Sequence, residues 1–154
     1  MIDIGKSVKA ATIPLALFIV INAVAIILGT FVPTVACILG IPILIVNAAI
    51  VGWAGYKAAK EQSLDIVGAA VSGVIVGTVG AIANGIVGLI VGFISSMVSG
   101  TGALGIGILL AGTVVGIVIW VVIGIIGGAI LGAIGFLVAS NMKGAPPAAK
   151  PAKK

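Results

Sequence analysis

The sequence predicts an all-α integral membrane protein with four transmembrane helices, the last two long and glycine-zippered. Three observations carry that expectation. Of 154 residues, 62% are hydrophobic and 7% are charged, and mean hydropathy is +1.47. Soluble domains are about 25% charged, so this chain lacks the polar surface needed to face water. The apolar residues form continuous runs instead of alternating, which excludes a transmembrane β-barrel.

Residues 1–9 form a short N-terminal segment carrying Lys6 and Lys9. The first span is predicted at residues 10–29 and the second at 34–56. Each fits the roughly 20 residues that cross a hydrocarbon core of about 30 Å. The third, residues 66–98, and the fourth, residues 105–140, reach about 50 Å as helices. They must tilt, kink or project from the hydrocarbon. Re-entrant hairpins at Asn84-Gly85 and Gly127-Gly128 are the alternative, but neither point carries a polar turn. The transmembrane domain is thus expected over residues 10–142. Residues 143–154, KGAPPAAKPAKK, form a Lys/Pro/Ala-rich tail expected to be extended and disordered.

The lysines set the expected orientation. All eight lie at Lys6 and Lys9, at Lys57 and Lys60, and at Lys143, Lys150, Lys153 and Lys154. Four spans place these groups on one face, and the positive-inside rule makes it cytoplasmic, with both termini there. Trp53 and Tyr56 precede Lys57 as an interfacial aromatic anchor. The tail lysines are placed to contact anionic headgroups. The first apolar stretch is too long for a cleaved signal, despite Ala23-x-Ala25. Thr34-Val35-Ala36-Cys37 resembles a lipoprotein box, but the chain continues apolar where a polar tether belongs.

The composition removes most chemistry. There is no His and no Arg, and Cys37 is the one cysteine. The acids Asp3, Glu61 and Asp65 all lie outside the apolar runs. Metal hydrolysis, nucleophile–His pairs and paired-carboxylate catalysis therefore lack their residues, and so does a proton or sodium rotor. No enzyme activity and no cofactor are expected. Nucleic-acid binding is not expected either, for want of a folded basic surface. Gly100-Thr101-Gly102-Ala103-Leu104-Gly105 fits G-x-G-x-x-G but joins two apolar runs, where it reads as a tight turn.

Small residues recur at steps of four, with an occasional three. In the third span they are Ala69, Gly73, Gly77, Ala81, Gly85, Gly88 and Gly92. In the fourth they are Gly112, Gly116, Gly124, Gly128, Gly132 and Gly135, interrupted by Trp120. Such spacing keeps them on one slowly drifting face. Small-xxx-small faces let helix backbones approach closely in lipid. The two spans are expected to pack on each other or on another subunit. Asn22, Asn47 and Asn84 place one amide in each of the first three spans, and each needs a partner. They read as interhelical glue, or else as a polar path with Ser72, Thr78 and Thr113. By distance along the helices, Asn22 and Asn47 sit at similar depth and Asn84 nearer the outer face.

The run Ile50-Val51-Gly52-Trp53-Ala54-Gly55-Tyr56, a short polar loop, and Gly68-Ala69-Ala70-Val71-Ser72-Gly73 resemble the small, glycine-rich, four-span membrane proteins of unknown function common in archaea. The resemblance covers about half the chain and implies the architecture and no activity. The expected function is a non-catalytic structural or assembly subunit in the cell membrane. It would associate with itself or with other membrane subunits through glycine-rich faces. A special case is a filament subunit, since the two long spans and their short turn resemble conjugative pilins. The competing class is a passive channel or holin-like pore.

Overall fold

The computed structural model describes residues 3–100 and 102–142. It contains α1 (Ile4–Phe31), α2 (Pro33–Gln62), α3 (Ile66–Val98) and α4 (Gly102–Asn141). Each holds a stretch long and apolar enough to cross a membrane, as a multi-pass protein requires. Among the described residues there is no strand.

Local chemistry sets the helix ends. Asp3 caps α1, its carboxylate accepting from the Lys6 N–H at 3.1 Å. That hydrogen bond holds the Asp3 carboxyl below its ordinary pKa. The cap starts α1 at Ile4, six residues before the expected span, so Lys6 and Lys9 ride on the helix. Val32 alone separates α1 from α2, and Pro33 opens α2 at a position where its missing N–H costs nothing. α2 continues past Tyr56 to Gln62, carrying Lys57, Lys60 and Glu61 on its last turns. It ends at Ser63, in the left-handed region with φ 51°, and the Leu64 N–H returns to the Ala58 carbonyl at 3.0 Å. Asp65 then caps α3 through the Gly68 N–H at 2.9 Å. Gly100, at φ 67°, turns the chain from α3 toward α4.

α3 and α4 are continuous helices of 33 and 40 residues, with no re-entrant hairpin at Asn84-Gly85 or Gly127-Gly128. At 1.5 Å per residue they span about 50 and 60 Å. Around the bundle the order is α1, α2, α4, α3: each helix touches its neighbours, and α2 also meets α3. Across the other diagonal, the α1 and α4 backbones stay apart, with no Cα atoms within 8 Å among the described residues.

One end of the bundle gathers the charge. Ala10, Ala58 and Ala69 pack together there, bringing the start of α1, the end of α2 and the start of α3 side by side. Lys57 is buried, its Nζ 3.3 Å from Glu61 and 5.4 Å from the centre of the Trp53 ring. Lys60 donates to the Tyr56 hydroxyl at 2.8 Å. We call this the lysine end. The tail lysines, Lys143 included, lie outside the described residues.

Candidate functional site in the helix interior

α3 presents two adjacent small-residue faces, one residue apart in register and so about 100° apart around the helix. Ala69, Gly73 and Gly77 face α4, whereas the Gly68 carbonyl, Ser72 and Gly80 meet α1.

Toward α4, backbones meet in the half nearer the lysine end. Gly73 lies on Gly128, and Gly77 on Gly124. A Cβ added at Gly124 would stand 2.6 Å from the Gly77 carbonyl oxygen, and one at Gly132 would stand 2.5 Å from that of Ala69. Backbone cannot withdraw as a flexible side chain can, so only glycine fits. α2 joins the same seam: Gly55 lies on Gly132, and Gly135 on the Gly52 carbonyl.

Farther from the lysine end the seam changes character. Gly85 receives the Ile117 side chain and Gly92 the Leu109 side chain, whose Cδ1 lies 2.8 Å from the Cβ position. The helices are therefore held one side chain apart. Gly88, Gly112 and Gly116 meet nothing within 4 Å of their Cβ positions. The expected face thus divides. Gly73, Gly77, Gly124, Gly128 and Gly132 touch backbone, Gly85 and Gly92 hold side chains, and Gly88, Gly112 and Gly116 stand open.

Toward α1, the contact is polar and then aromatic. Ser7 and Ser72 are fully buried. The Ser7 hydroxyl donates to the Gly68 carbonyl at 3.2 Å, and the Ser72 hydroxyl to the Ser7 carbonyl at 3.2 Å. Ser72 thus belongs to a clamp at the lysine end and is not on a path with the asparagines. Two turns on, the Phe18 ring fills the notch of Gly80, its Cδ1 2.5 Å from the Cβ position.

Asn22 and Asn47 pair reciprocally. Asn22 Nδ2 donates to Asn47 Oδ1 at 2.8 Å, and Asn47 Nδ2 to Asn22 Oδ1 at 3.0 Å. Asn22 Nδ2 also reaches the Phe18 carbonyl at 2.7 Å. Asn84 is different. Its Oδ1 is buried with no hydrogen-bond partner, as is the Thr78 hydroxyl.

A cavity of about 550 Å³ lies between the helices, reaching from the contact glycines Gly77, Gly124 and Gly128 to Gly85 and Thr113. All four contribute to its wall, including Phe18, Asn22, Asn47, Asn84, Thr113 and Trp120. The three asparagines therefore share one space, Asn84 included. Thr113 is occupied with its own helix, donating to the Leu109 carbonyl at 2.8 Å. Leu44 of α2 and Trp120 of α4 are both more than half exposed and form the cavity's rim.

Gly55, Gly80 and Ser7 were not anticipated from sequence. The 68-72-76-80 spacing on α3 was the available signal for the α1 face. For Gly55 the signal was the Gly52-x-x-Gly55 step at the end of the second span. Among the described residues no group of His, Cys, Asp or Glu is placed to hold a metal ion. Compared with family models, with curated proteins and with solved structures, the chain matches none.

Proposed function

We propose that this protein is a non-catalytic structural or assembly subunit of a cell membrane, with both ends of the chain on the cytoplasmic side. The observation that carries the reading is the placement of polar chemistry. Every ionisable side chain among the described residues except Cys37 and Tyr56 lies in the charged segments at 3–9 and 57–65, and these meet at the lysine end. Tyr56 adjoins that end, and Cys37 is exposed on an apolar stretch of α2. In the remaining interior, Asn22 and Asn47 satisfy each other, Thr30 and Thr113 bond their own helices, and the Asn84 Oδ1 and Thr78 hydroxyl are left without a partner. Such an interior suits packing better than catalysis or charge transfer.

The zipper glycines nearer the lysine end, Gly73, Gly77, Gly124, Gly128 and Gly132, are already occupied by the chain's own helices. Association with another subunit therefore falls to the far half of α4, where Gly112 is exposed with open space at its Cβ. The test is cysteine crosslinking in native membranes with Gly112→Cys in a Cys37→Ser background. The reading expects a discrete crosslinked species, either a homodimer or a defined heteromer. A chain that stays monomeric, and that native mass spectrometry finds without a partner, contradicts it.

A pore is the second reading, because Asn22, Asn47, Asn84 and Thr113 share one cavity. Charged rings, a common source of ion selectivity, are missing from that lining. The scaffold reading expects no ion flux from liposomes containing the purified protein. Reproducible single-channel currents altered by Asn47→Leu favour the pore.

A further inference from the structure

We propose that the interior cavity is a binding site for an uncharged, lipid-like molecule bearing a hydroxyl group, such as a long-chain alcohol. Size comes first. About 550 Å³ lies within the 300–1,000 Å³ typical of pockets for small organic molecules. The wall is mostly apolar and contains no ionisable side chain, so a charged headgroup would enter unpaired at high cost.

The polar groups narrow the class. Asn22 and Asn47 are committed to each other, and Thr113 to Leu109. Asn84 is the amide left over, with an Oδ1 that lacks a donor. A hydroxyl both donates and accepts, so it pairs with either end of that amide as the terminal torsion turns. An alkane does neither.

The glycines explain why the space exists. Gly116 and Gly127 both line the cavity, and a Cβ on either would meet nothing within 4 Å. Helix packing does not account for glycine at these two positions, whereas keeping the cavity empty of side chains does. Entry is from the bilayer, past the exposed Leu44 and Trp120 at the rim.

Trp120 supplies the readout. In a Trp53→Phe protein it is the one remaining tryptophan. This protein, reconstituted in phosphatidylcholine nanodiscs, is titrated with 11-bromo-1-undecanol and, separately, with 1-bromoundecane, following bromine quenching of Trp120. The proposal expects saturable quenching by the alcohol, at concentrations about threefold to tenfold below those the alkane needs, the worth of one neutral hydrogen bond. Asn84→Leu should remove that preference while leaving saturable quenching by both probes. Gly116→Leu should fill the space and leave only a linear, non-saturating response. Gly127→Leu repeats the filling test should the first variant melt early. Saturable quenching that survives both fillings overturns the site. Equal response to alcohol and alkane in the unsubstituted cavity overturns the hydroxyl assignment.

Discussion

Asn22 and Asn47 show why a polar residue in an apolar helix has to be read with its partner. Each amide hydrogen-bonds the other across α1 and α2, and Asn22 also ties back to Phe18. Replacing either one strands the other. Asn22→Leu or Asn47→Leu is expected to lower stability in detergent by about 0.6–2 kcal/mol. The double variant should cost less than the sum of the two, because no amide is left alone. A thermal-melting double-mutant cycle measures this, and strict additivity would mean that the pair is not coupled. The sequence placed these two residues at similar depth, and they do meet. It placed Asn84 nearer the outer face, and Asn84 lines the same cavity, whose wall on α4 runs from Thr113 to Leu131. Counting residues from the helix ends gives distance along an axis, and says nothing of how far two axes are shifted against each other.

At the level of the helix, the α3–α4 seam uses glycine in two ways. Nearer the lysine end, backbone lies on backbone. Beyond it, Ile117 and Leu109 sit in the notches of Gly85 and Gly92. A four-residue spacing reveals the stripe but not which atoms of the facing helix will lie on it. Gly77 and Gly85 look equivalent in sequence, and only the register against α4 separates carbonyl from side chain. The same limit hid Gly55, whose neighbour Gly132 lies far along the chain. The distinction has a measurable consequence. Gly85→Ala should destabilise by forcing Ile117 aside, and adding Ile117→Ala should recover part of the loss. The coupling energy expected for such touching pairs is about 0.5–3 kcal/mol. Gly77→Ala should show no such recovery with Ile117→Ala, since its obstacle is the Gly124 backbone. Recovery of both variants would erase the difference between the two halves of the seam.

For the whole molecule, helix number and the segregation of charge among the described residues were legible from hydropathy and lysine placement. The lengths of α1 and α2 were not, because Asp3 and the Ser63 turn extend both helices through the charged segments. The cavity was also illegible. It is walled by residues from all four helices, which only their mutual register brings together. The gathering of Lys6, Lys9, Lys57 and Lys60 at one end supports a cytoplasmic lysine end. A C-terminal reporter fusion should therefore be active in the cytoplasm, and activity only on the outside would reverse the orientation.

The central claim is that the bundle is held by backbone contact through a specific subset of its glycines, while others, Gly88, Gly116 and Gly127 among them, stand clear of any contact. A glycine-to-alanine comparison by thermal melting in detergent tests it most directly. Alanine at Gly73, Gly124, Gly128 or Gly132 should cost about 1–3 kcal/mol, the range of overpacking a tight interface. Alanine at Gly88, Gly116 or Gly127, where the added methyl meets nothing within 4 Å, should change stability by no more than about 0.5 kcal/mol, or raise it slightly through better helix propensity. Equal losses in both groups, or larger losses in the second, would contradict the account.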